Sequence, residues 1–260
     1  MRSSTVRLFS TDLDGTLLGN PEAVWRFGER WSELDPGRRP LLVYNTGRTV
    51  ADTLALVAAR HLPEPDFIIG STGTELRDSL YHRGGEFQAQ FGEGWELARV
   101  EAIVGAIPGI KRQPDECTHA FKSSWHWVRA SRAEVEALEQ RLGRAGLQVG
   151  VIYSCRYFLD VVPARAGKGN ALAWLCHRLG VSLDHVLVAG DTANDCSMFL
   201  LPGVSGILVE NALPELHAAT LKCPVFVATQ PLADGVSEGL AHYGIFNPAP
   251  GAQLAAVLHA

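Results

Sequence analysis

Two aspartates one residue apart, Asp12 and Asp14, are the residues whose type and spacing most directly suggest chemistry. They follow an apolar run from Leu8 and lead into Gly15-Thr16. Alternate residues of an extended chain point the same way, so two carboxylates can converge and hold a hard cation. An Asx-type turn would account for one aspartate and the glycine, but it leaves the second aspartate unexplained. We therefore interpret the pair as part of a functional site.

Three more polar motifs follow apolar stretches or open helices. Thr46 precedes Gly47-Arg48, where a hydroxyl and backbone N–H groups can hold a phosphate oxygen, although a helix cap is the simpler explanation. Lys168 opens a helix, where the dipole disfavours a positive charge; a functional role and an exposed lysine both remain open. The segment 190–195 places Asp191, Asn194 and Asp195 just after a strand, more than a helix cap requires.

These residues together are the groups that phosphoryl transfer needs. Asp12 would attack phosphorus and form an aspartyl-phosphate, and Asp14 would protonate the leaving alcohol and later deprotonate water. Magnesium, bound by Asp12 and Asp191 among others, would screen the charge repulsion. Lys168 and Thr46 would neutralise and orient the transferring oxygens.

The elements that must position these residues alternate between strand and helix. Strands at 8–12, 41–44 and 67–69, with helical periodicity between them, predict a βαβαβ unit. Asn20-Pro21 predicts a helix start. The same alternation returns with a helix at 168–179 and strands at 186–189, 206–209 and 225–228. Helices are also predicted at 213–219, 236–243 and 252–259. The fold class is therefore α/β, with a doubly wound, Rossmann-like parallel sheet.

The middle of the chain has a different pattern. Between about 81 and 160, strand-like stretches mix with a helix that begins at the capping box Ser131-Arg132-Ala133-Glu134. We predict a smaller α+β cap at 81–160, inserted into a core formed by 1–80 and 161–260. Trp95, Trp125 and Trp127 either pack in the core of this cap or stack on a ligand.

Composition narrows the function classes. The chain has 260 residues, with 28 acidic and 23 basic side chains and no basic run, so nucleic acid is not expected as a partner. No apolar run approaches the about 20 residues of a membrane span, and no signal-like stretch precedes the first strand. Five cysteines without C-x-x-C spacing resemble small core residues in a reducing compartment. A cytoplasmic protein without a membrane partner is expected, either a monomer or a homodimer.

The ordered motifs resemble those of the haloacid dehalogenase superfamily. They are Asp12-Leu13-Asp14-Gly15-Thr16, then Thr46, then Lys168, then Gly190-Asp191 with Asn194-Asp195. Further segments are similar to the sucrose-phosphate phosphatase branch, among them Gly70-Ser71-Thr72-Gly73-Thr74-Glu75 and Asp160-Val161-Val162-Pro163. This resemblance implies a cap between the second and third motifs and magnesium-dependent hydrolysis of sugar phosphates.

The resemblance also implies roles for individual residues. Asp12, Asp14, Thr46 and Lys168 are expected to be catalytic, and Asp12, Asp14, Asp191 and Asp195 to bind Mg²⁺. Gly47, Arg48, Asn194 and Lys122 are expected to bind a small phosphorylated sugar. The segment Phe121-Lys122-Ser123-Ser124 resembles one in which a cap lysine reaches the sugar. A lysine that discourages strand pairing at a sheet edge explains Lys122 equally well.

The exact substrate and two other functions remain open. A sucrose-phosphate-like or a glycosyl-glycerate-like ester would fit. A phosphosugar mutase, or a phosphatase for another small ester, is the main enzymatic alternative. A non-catalytic phosphosugar-binding module is disfavoured because Asp12, Asp14 and Lys168 are all present. Dehalogenase chemistry is disfavoured because it needs neither the metal nor the second aspartate. A P-type pump is excluded because the chain lacks the apolar runs that membrane spans require.

Overall fold

A seven-stranded sheet forms the centre of the molecule. The structure is a computed structural model, and it describes residues 5–78 and 84–247. The strands are β1 (Leu8–Thr11), β2 (Leu41–Asn45), β3 (Phe67–Gly70), β4 (Glu75–Asp78), β9 (Val186–Gly190), β10 (Ser205–Leu208) and β11 (Val225–Val227). Their order in the sheet is β11-β10-β9-β1-β2-β3-β4, and all neighbouring pairs are parallel except β3 with β4.

Helices cover both faces of this sheet, as a doubly wound fold requires. Consecutive β1 residues alternate between two apolar clusters, with Leu8 in one and Phe9 in the other. On one side, the first and last described helices contribute Phe27 and Leu240; on the other, the helix that begins at Lys168 contributes Leu172. The helices around the sheet are α1 (Pro21–Ser32), α2 (Val50–Ala58), α3 (Gly84–Gln88), α6 (Lys168–Leu179), α7 (Cys196–Phe199), α8 (Pro214–Thr220) and α9 (Leu232–His242).

A second, antiparallel sheet lies in the segment between β4 and α6. Its order is β5-β6-β8-β7, built from β5 (Lys111–Arg112), β6 (Ser123–His126), β7 (Val149–Ser154) and β8 (Phe158–Pro163). The helices α4 (Leu97–Gly105) and α5 (Arg132–Arg144) pack with this sheet around an apolar cluster of their own. Trp95, Trp125 and Trp127 are buried in that cluster, which confirms their interpretation as core residues.

Local sequence signals explain where several helices begin. The Asn20 side chain accepts hydrogen bonds from the backbone N–H groups of Glu22 and Ala23, and Pro21 occupies the first helical position. The capping box predicted at Ser131 and Glu134 is present at the start of α5. The α/β fold class is therefore confirmed, and α6 has the predicted bounds.

Some elements differ from the sequence prediction. The strand β4 was not predicted, because its residues follow a glycine- and threonine-rich turn and only Leu76 and Asp78 are buried. The last described helix begins at Leu232, directly after Pro231, rather than at Val236. Of the five cysteines, Cys176 is buried and Cys196 packs against the same apolar cluster, whereas Cys155 is exposed, so the prediction of a small core residue was wrong for Cys155. The helix predicted at 252–259 lies outside the described residues.

Candidate active site

Three adjacent strands of the central sheet end at the polar residues singled out in the sequence. Asp12 follows β1, Thr46 follows β2 and Asp191 follows β9. The strands are parallel and lie in the order β9-β1-β2, so their carboxyl ends meet at one edge of the sheet. This edge is where open α/β sheets bind ligands.

Three buried carboxylates form a group at this edge. Asp12, Asp191 and Asp195 each place an oxygen within 4.8 Å of the other two. Two glycines allow this close approach: a Cβ on Gly15 would lie 2.2 Å from Asp191 Oδ2, and one on Gly190 would lie 2.6 Å from Asp195 Cβ. Larger residues at these two positions would force the carboxylates apart.

Lys168 joins this group as its positive charge. Its Nζ donates hydrogen bonds to Asp12 Oδ1 and Asp195 Oδ1, both at 2.7 Å, and its side chain is completely buried. The backbone carbonyl of Lys168 accepts a hydrogen bond from Asn45 Nδ2 at 3.0 Å, which fixes the start of α6 against the end of β2. Lys168 is therefore not the exposed lysine that the sequence left possible.

Burial and mutual repulsion shift the protonation equilibria of the group. Burial raises the pKa of Asp12 well above its ordinary value; Asp195 and Asp191 raise it further, and Lys168 opposes them. Burial, together with the charge of Asp195, raises the pKa of Asp191 to about 6. Burial alone would lower the pKa of Lys168, but attraction to Asp12 and Asp195 outweighs it and the pKa is raised.

The donor set fits a hard divalent cation. Three ionised carboxylates beside one ammonium leave uncompensated negative charge in a buried place, which is costly without a further cation. Both oxygens of Asp195 are engaged, since Oδ1 accepts from Lys168 and Oδ2 accepts from the backbone N–H groups of Asp191 and Thr192. Asp12 and Asp191 are therefore the carboxylates best placed for direct coordination.

Asp14 lies outside this buried group. Its carboxylate accepts hydrogen bonds from Arg48 Nε at 2.7 Å and Arg48 Nη2 at 2.6 Å. The side chains of Asp14 and Arg48 are 55% and 37% exposed, so the ion pair faces solvent rather than the sheet. The structure thus separates two aspartates that the sequence spacing placed together at one cation.

The segment after β2 forms a tight turn beside Asp14. Thr46 is buried, and its Oγ1 accepts a hydrogen bond from the Arg48 backbone N–H at 3.2 Å. The Gly47 carbonyl accepts a hydrogen bond from Lys122 Nζ at 3.2 Å. Across the site, Asn194 Oδ1 accepts from Thr192 Oγ1.

Lys122 connects the two sheets. It precedes β6, its side chain is 7% exposed, and its Nζ lies 3.5 Å from Asp160 Oδ2. Because this side chain is buried, the explanation of a lysine that guards a sheet edge does not fit. Lys122 thus bridges Asp160 of the second sheet and the Gly47 carbonyl of the turn after β2.

Asp160 is a site residue to which the sequence analysis assigned no role. Its Oδ1 accepts a hydrogen bond from Ser124 Oγ at 2.7 Å, and its Oδ2 accepts one from Thr72 Oγ1 at 3.1 Å. Asp160 and Thr72 both lie in segments that resemble the sucrose-phosphate phosphatase branch, and this resemblance is the sequence signal that could have identified them as site residues. Their pairing depends on how the two sheets pack, which local patterns do not encode.

A cavity of about 520 Å³ lies between the two sheets, over the buried group. The central sheet contributes Asp12, Asp14 and Arg48 to its wall, and the second sheet contributes Phe158 and Asp160. Gly47, Lys122 and Asn194 also line it. All four residues predicted to bind substrate therefore border one cavity with Asp12.

A doubly wound sheet with buried aspartates and a lysine at its carboxyl edge, facing a cavity under a second sheet, is the arrangement that the resemblance to the haloacid dehalogenase superfamily implied. A family model described as sucrose-6F-phosphate phosphohydrolase matches residues 5–244. Mannosylfructose-phosphate phosphatase from Agrobacterium fabrum is 40% identical over 248 residues, covering 94% of this chain and 98% of that protein.

Two further relatives extend the comparison. Probable sucrose-phosphatase 2 from Arabidopsis thaliana is 33% identical over 248 residues, and the match covers 90% of this chain but only 58% of that protein. The solved structure of the sucrose-phosphatase from Synechocystis sp. PCC6803, in complex with sucrose and phosphate, has a TM-score of 0.84 at 27% identity. That match covers 93% of this chain and 99% of the other.

The chain belongs to the sucrose-6F-phosphate phosphohydrolase family, and with it to the phosphoric monoester hydrolases of the haloacid dehalogenase superfamily. This confirms the resemblance found in the sequence motifs. Within residues 5–78 and 84–247, no helix combines the length and apolar character needed to span a bilayer.

Proposed function

We propose that this enzyme hydrolyses the phosphate monoester of a fructose-containing disaccharide, with mannosylfructose phosphate as the first candidate and a sucrose phosphate as the second. The proposal draws on the 40% identity to a mannosylfructose-phosphate phosphatase, which extends over nearly the whole of both chains. A glycosyl-glycerate phosphate remains a third candidate, because the cavity joins charged and aromatic groups that would suit either kind of glycoside.

Asp12 is the proposed nucleophile. Its carboxylate oxygen attacks phosphorus while the bond from phosphorus to the sugar oxygen breaks, and an aspartyl-phosphate results. Lys168 holds the Asp12 carboxylate in place, with a hydrogen bond of 2.7 Å to Oδ1. Since Lys168 is anchored on its other side by Asp195, the position of the nucleophile is set before substrate arrives.

Asp14 is the proposed general acid and base. In the first step its proton goes to the departing sugar oxygen; in the second it accepts a proton from the water that attacks the aspartyl-phosphate, which releases inorganic phosphate and restores Asp12. In the structure both Asp14 oxygens accept hydrogen bonds from Arg48. Asp14 must therefore leave Arg48 before it can reach the sugar oxygen.

The remaining polar groups are proposed to bind the substrate phosphate and the cation. Thr46, Gly47 and Asn194 would donate hydrogen bonds to phosphate oxygens, and Arg48, once separated from Asp14, would contact the bound substrate. Asp12 and Asp191 would coordinate Mg²⁺ directly, and Asp195 would support them through Lys168. Asp14, also predicted as a ligand, would first have to leave Arg48. A bound Mg²⁺ supplies charge neutralisation for the transferring phosphoryl group.

We propose that residues 81–160 act as a cap that selects the sugar. The described part of this segment contributes Lys122, Phe158 and Asp160 to the cavity wall. Lys122 is a candidate for sugar contact, because its ammonium lies at the cavity between Asp160 and Gly47. We also expect a cytoplasmic monomer or homodimer, which cell fractionation and light scattering would test.

The observation that supports catalysis most directly is the buried Lys168 ammonium between Asp12 and Asp195. The test is phosphate release from mannosylfructose phosphate, sucrose 6-phosphate, and mannosyl- and glucosylglycerate phosphates, with Mg²⁺ and with a chelator. Hydrolysis of a disaccharide phosphate is expected, and Asp12→Asn should abolish it while the circular dichroism spectrum is kept. Turnover by Asp12→Asn close to wild type would remove Asp12 as the nucleophile.

A further inference from the structure

Phe158 is an exposed aromatic side chain in the wall of the catalytic cavity. It begins β8, is 42% exposed, and borders the same cavity as Asp12 and Asn194. A concave site that combines an aromatic side chain with a few convergent polar groups is where proteins bind small molecules, so its place in the cavity wall makes Phe158 a candidate for a ligand-binding function. The tryptophans of the same sheet cannot supply that function, because Trp125 and Trp127 are 5% and 7% exposed and pack in the apolar cluster.

The strand register places Phe158 on the side of the second sheet that faces the catalytic residues. Alternate residues of a strand share a face, so Phe158 lies on the same face as Asp160. Asp160 contacts Thr72 of the central-sheet segment, which identifies this face. The intervening Leu159 and its partner Trp125 point into the apolar cluster on the opposite side.

Neighbouring rings hold Phe158 in position. Its cross-strand partner His126 lies with ring centroids 5.7 Å apart at 63°, and Tyr157 lies 5.0 Å away at 82°. His126 and Tyr157 stack on each other at 4.6 Å. Because its neighbours restrict the Phe158 ring, less conformational entropy is lost when a ligand packs on it.

We propose that Phe158 is a specificity-determining residue, and that its ring packs against the C–H face of the unphosphorylated sugar ring of the substrate. This inference rests on the proposed function, since it assumes a phosphorylated disaccharide. A sugar ring carries hydroxyls at its rim and C–H groups on its faces, so an aromatic wall with polar groups at its edge suits it. Asp160 provides such a group about 7 Å along the strand.

The catalytic residues place the phosphate, and Phe158 selects the other end of the substrate. With Asp12 at the phosphorus atom, a monosaccharide phosphate would put its one ring next to the reacting bond. A disaccharide phosphate carries a second ring that extends further into the cavity, toward the cap wall. The proposal therefore makes Phe158 a determinant of disaccharide recognition that takes no part in the chemical steps.

The experiment compares steady-state kinetics on two substrates. One is whichever disaccharide phosphate the wild type hydrolyses best, and the other is acetyl phosphate, which carries no ring. Phe158→Ala should raise KM for the disaccharide phosphate by about tenfold and leave kinetics with acetyl phosphate unchanged. Phe158→Trp should keep the wild-type KM for the disaccharide phosphate, because a flat ring is retained. The KM of Phe158→Leu should lie between those of the wild type and Phe158→Ala.

Controls separate recognition from damage to the fold. Trp25 is an aromatic residue on α1 that is 65% exposed and does not line the cavity. Trp25→Ala is therefore the matched control, and its kinetics with both substrates should equal those of the wild type. Unchanged acetyl phosphate turnover reports an intact catalytic centre in each variant, and Phe158→Leu serves if Phe158→Ala misfolds.

Two results would overturn the inference. One is an unchanged KM for the disaccharide phosphate in both Phe158→Ala and Phe158→Leu. The other is an equal rise of KM for acetyl phosphate. If the wild type hydrolyses acetyl phosphate but no disaccharide phosphate, the proposed function fails first and this inference fails with it.

Discussion

Arg48 holds the carboxylate of Asp14 through two hydrogen bonds, from Nε to Oδ2 at 2.7 Å and from Nη2 to Oδ1 at 2.6 Å. A forked pair of this kind satisfies both carboxylate oxygens at once. Since both side chains are more than a third exposed, separating them costs at most about 1 kcal/mol. An arriving substrate can therefore exchange these contacts for its own at little cost.

The first prediction concerns Arg48. We expect Arg48→Ala to raise KM for the sugar phosphate at least about tenfold, because the charged contact to bound substrate is lost. The same loss should persist when Arg48→Ala is combined with Asp14→Asn and measured with an activated phosphate ester. Arg48→Lys keeps the charge but loses the forked pair of hydrogen bonds, so its KM should lie between those of the wild type and Arg48→Ala. Disappearance of the Arg48→Ala effect in the Asp14→Asn background would show that Arg48 acts only through Asp14.

The second prediction concerns Lys168. Lys168→Met should abolish phosphate release. In a chelator it should also lower the free energy of unfolding by about 3–5 kcal/mol, because Asp12 and Asp195 lose the buried ammonium that they share. Urea denaturation with and without Mg²⁺ measures this, and Mg²⁺ should recover part of the loss. Lys222→Met, at an exposed lysine, is the matched control and should change the free energy of unfolding by less than about 0.5 kcal/mol. Equal effects of the two substitutions would contradict a charge role for Lys168.

The third prediction follows from the raised pKa of Asp191, about 6 against an ordinary value of 3.8. Without metal, the folded state binds this proton more tightly than the unfolded state does. The stability that the proton contributes is fully present below about pH 4 and is lost as pH rises through about 6. Asp191→Asn should therefore gain stability relative to wild type over this range in a chelator, as followed by urea unfolding at each pH.

The affinity for Mg²⁺ should rise with pH, whereas the stability of the metal-free protein falls over the same range. A cation requires ionised carboxylates, so Mg²⁺ affinity should weaken as pH falls below about 6, by up to about tenfold per pH unit for each proton displaced. Calorimetric titration at pH 5, 6 and 7 would measure this, with Asp184→Asn as an acidic control outside the group. A Mg²⁺ affinity that does not change with pH would argue against Asp191 as a ligand.

The fourth prediction concerns the turn between β7 and β8. Cys155 and Arg156 have φ values of +53° and +52°, in the left-handed region that disfavours residues other than glycine and asparagine, and the Tyr157 N–H donates to the Ser154 carbonyl to close the turn. Replacing this pair by Asn-Gly should raise the free energy of unfolding by about 1–2 kcal/mol. Thermal unfolding measures the gain. Cys155→Ser with Arg156→Lys keeps the unfavourable backbone and should give no gain; a gain there would refute the backbone explanation.

Most of the central fold could be predicted because its signals are local. Buried parallel strands appear as short apolar runs, and α6 shows its full extent through helical periodicity. In contrast, β4 has only two buried residues and β5 only two residues in all, too few for a pattern. The pairing of these short strands depends on neighbours distant in sequence.

The sequence by itself determined that Asp12, Thr46 and Asp191 would lie at one edge of the sheet, because the carboxyl ends of parallel strands share that edge whatever connects them. Only the tertiary structure decided which side chains contact each other there. Asp14 lies two residues from Asp12, yet it binds Arg48, while Asp195 joins the buried group with Lys168. These choices depend on packing between segments distant in sequence, which strand and helix periodicity does not specify.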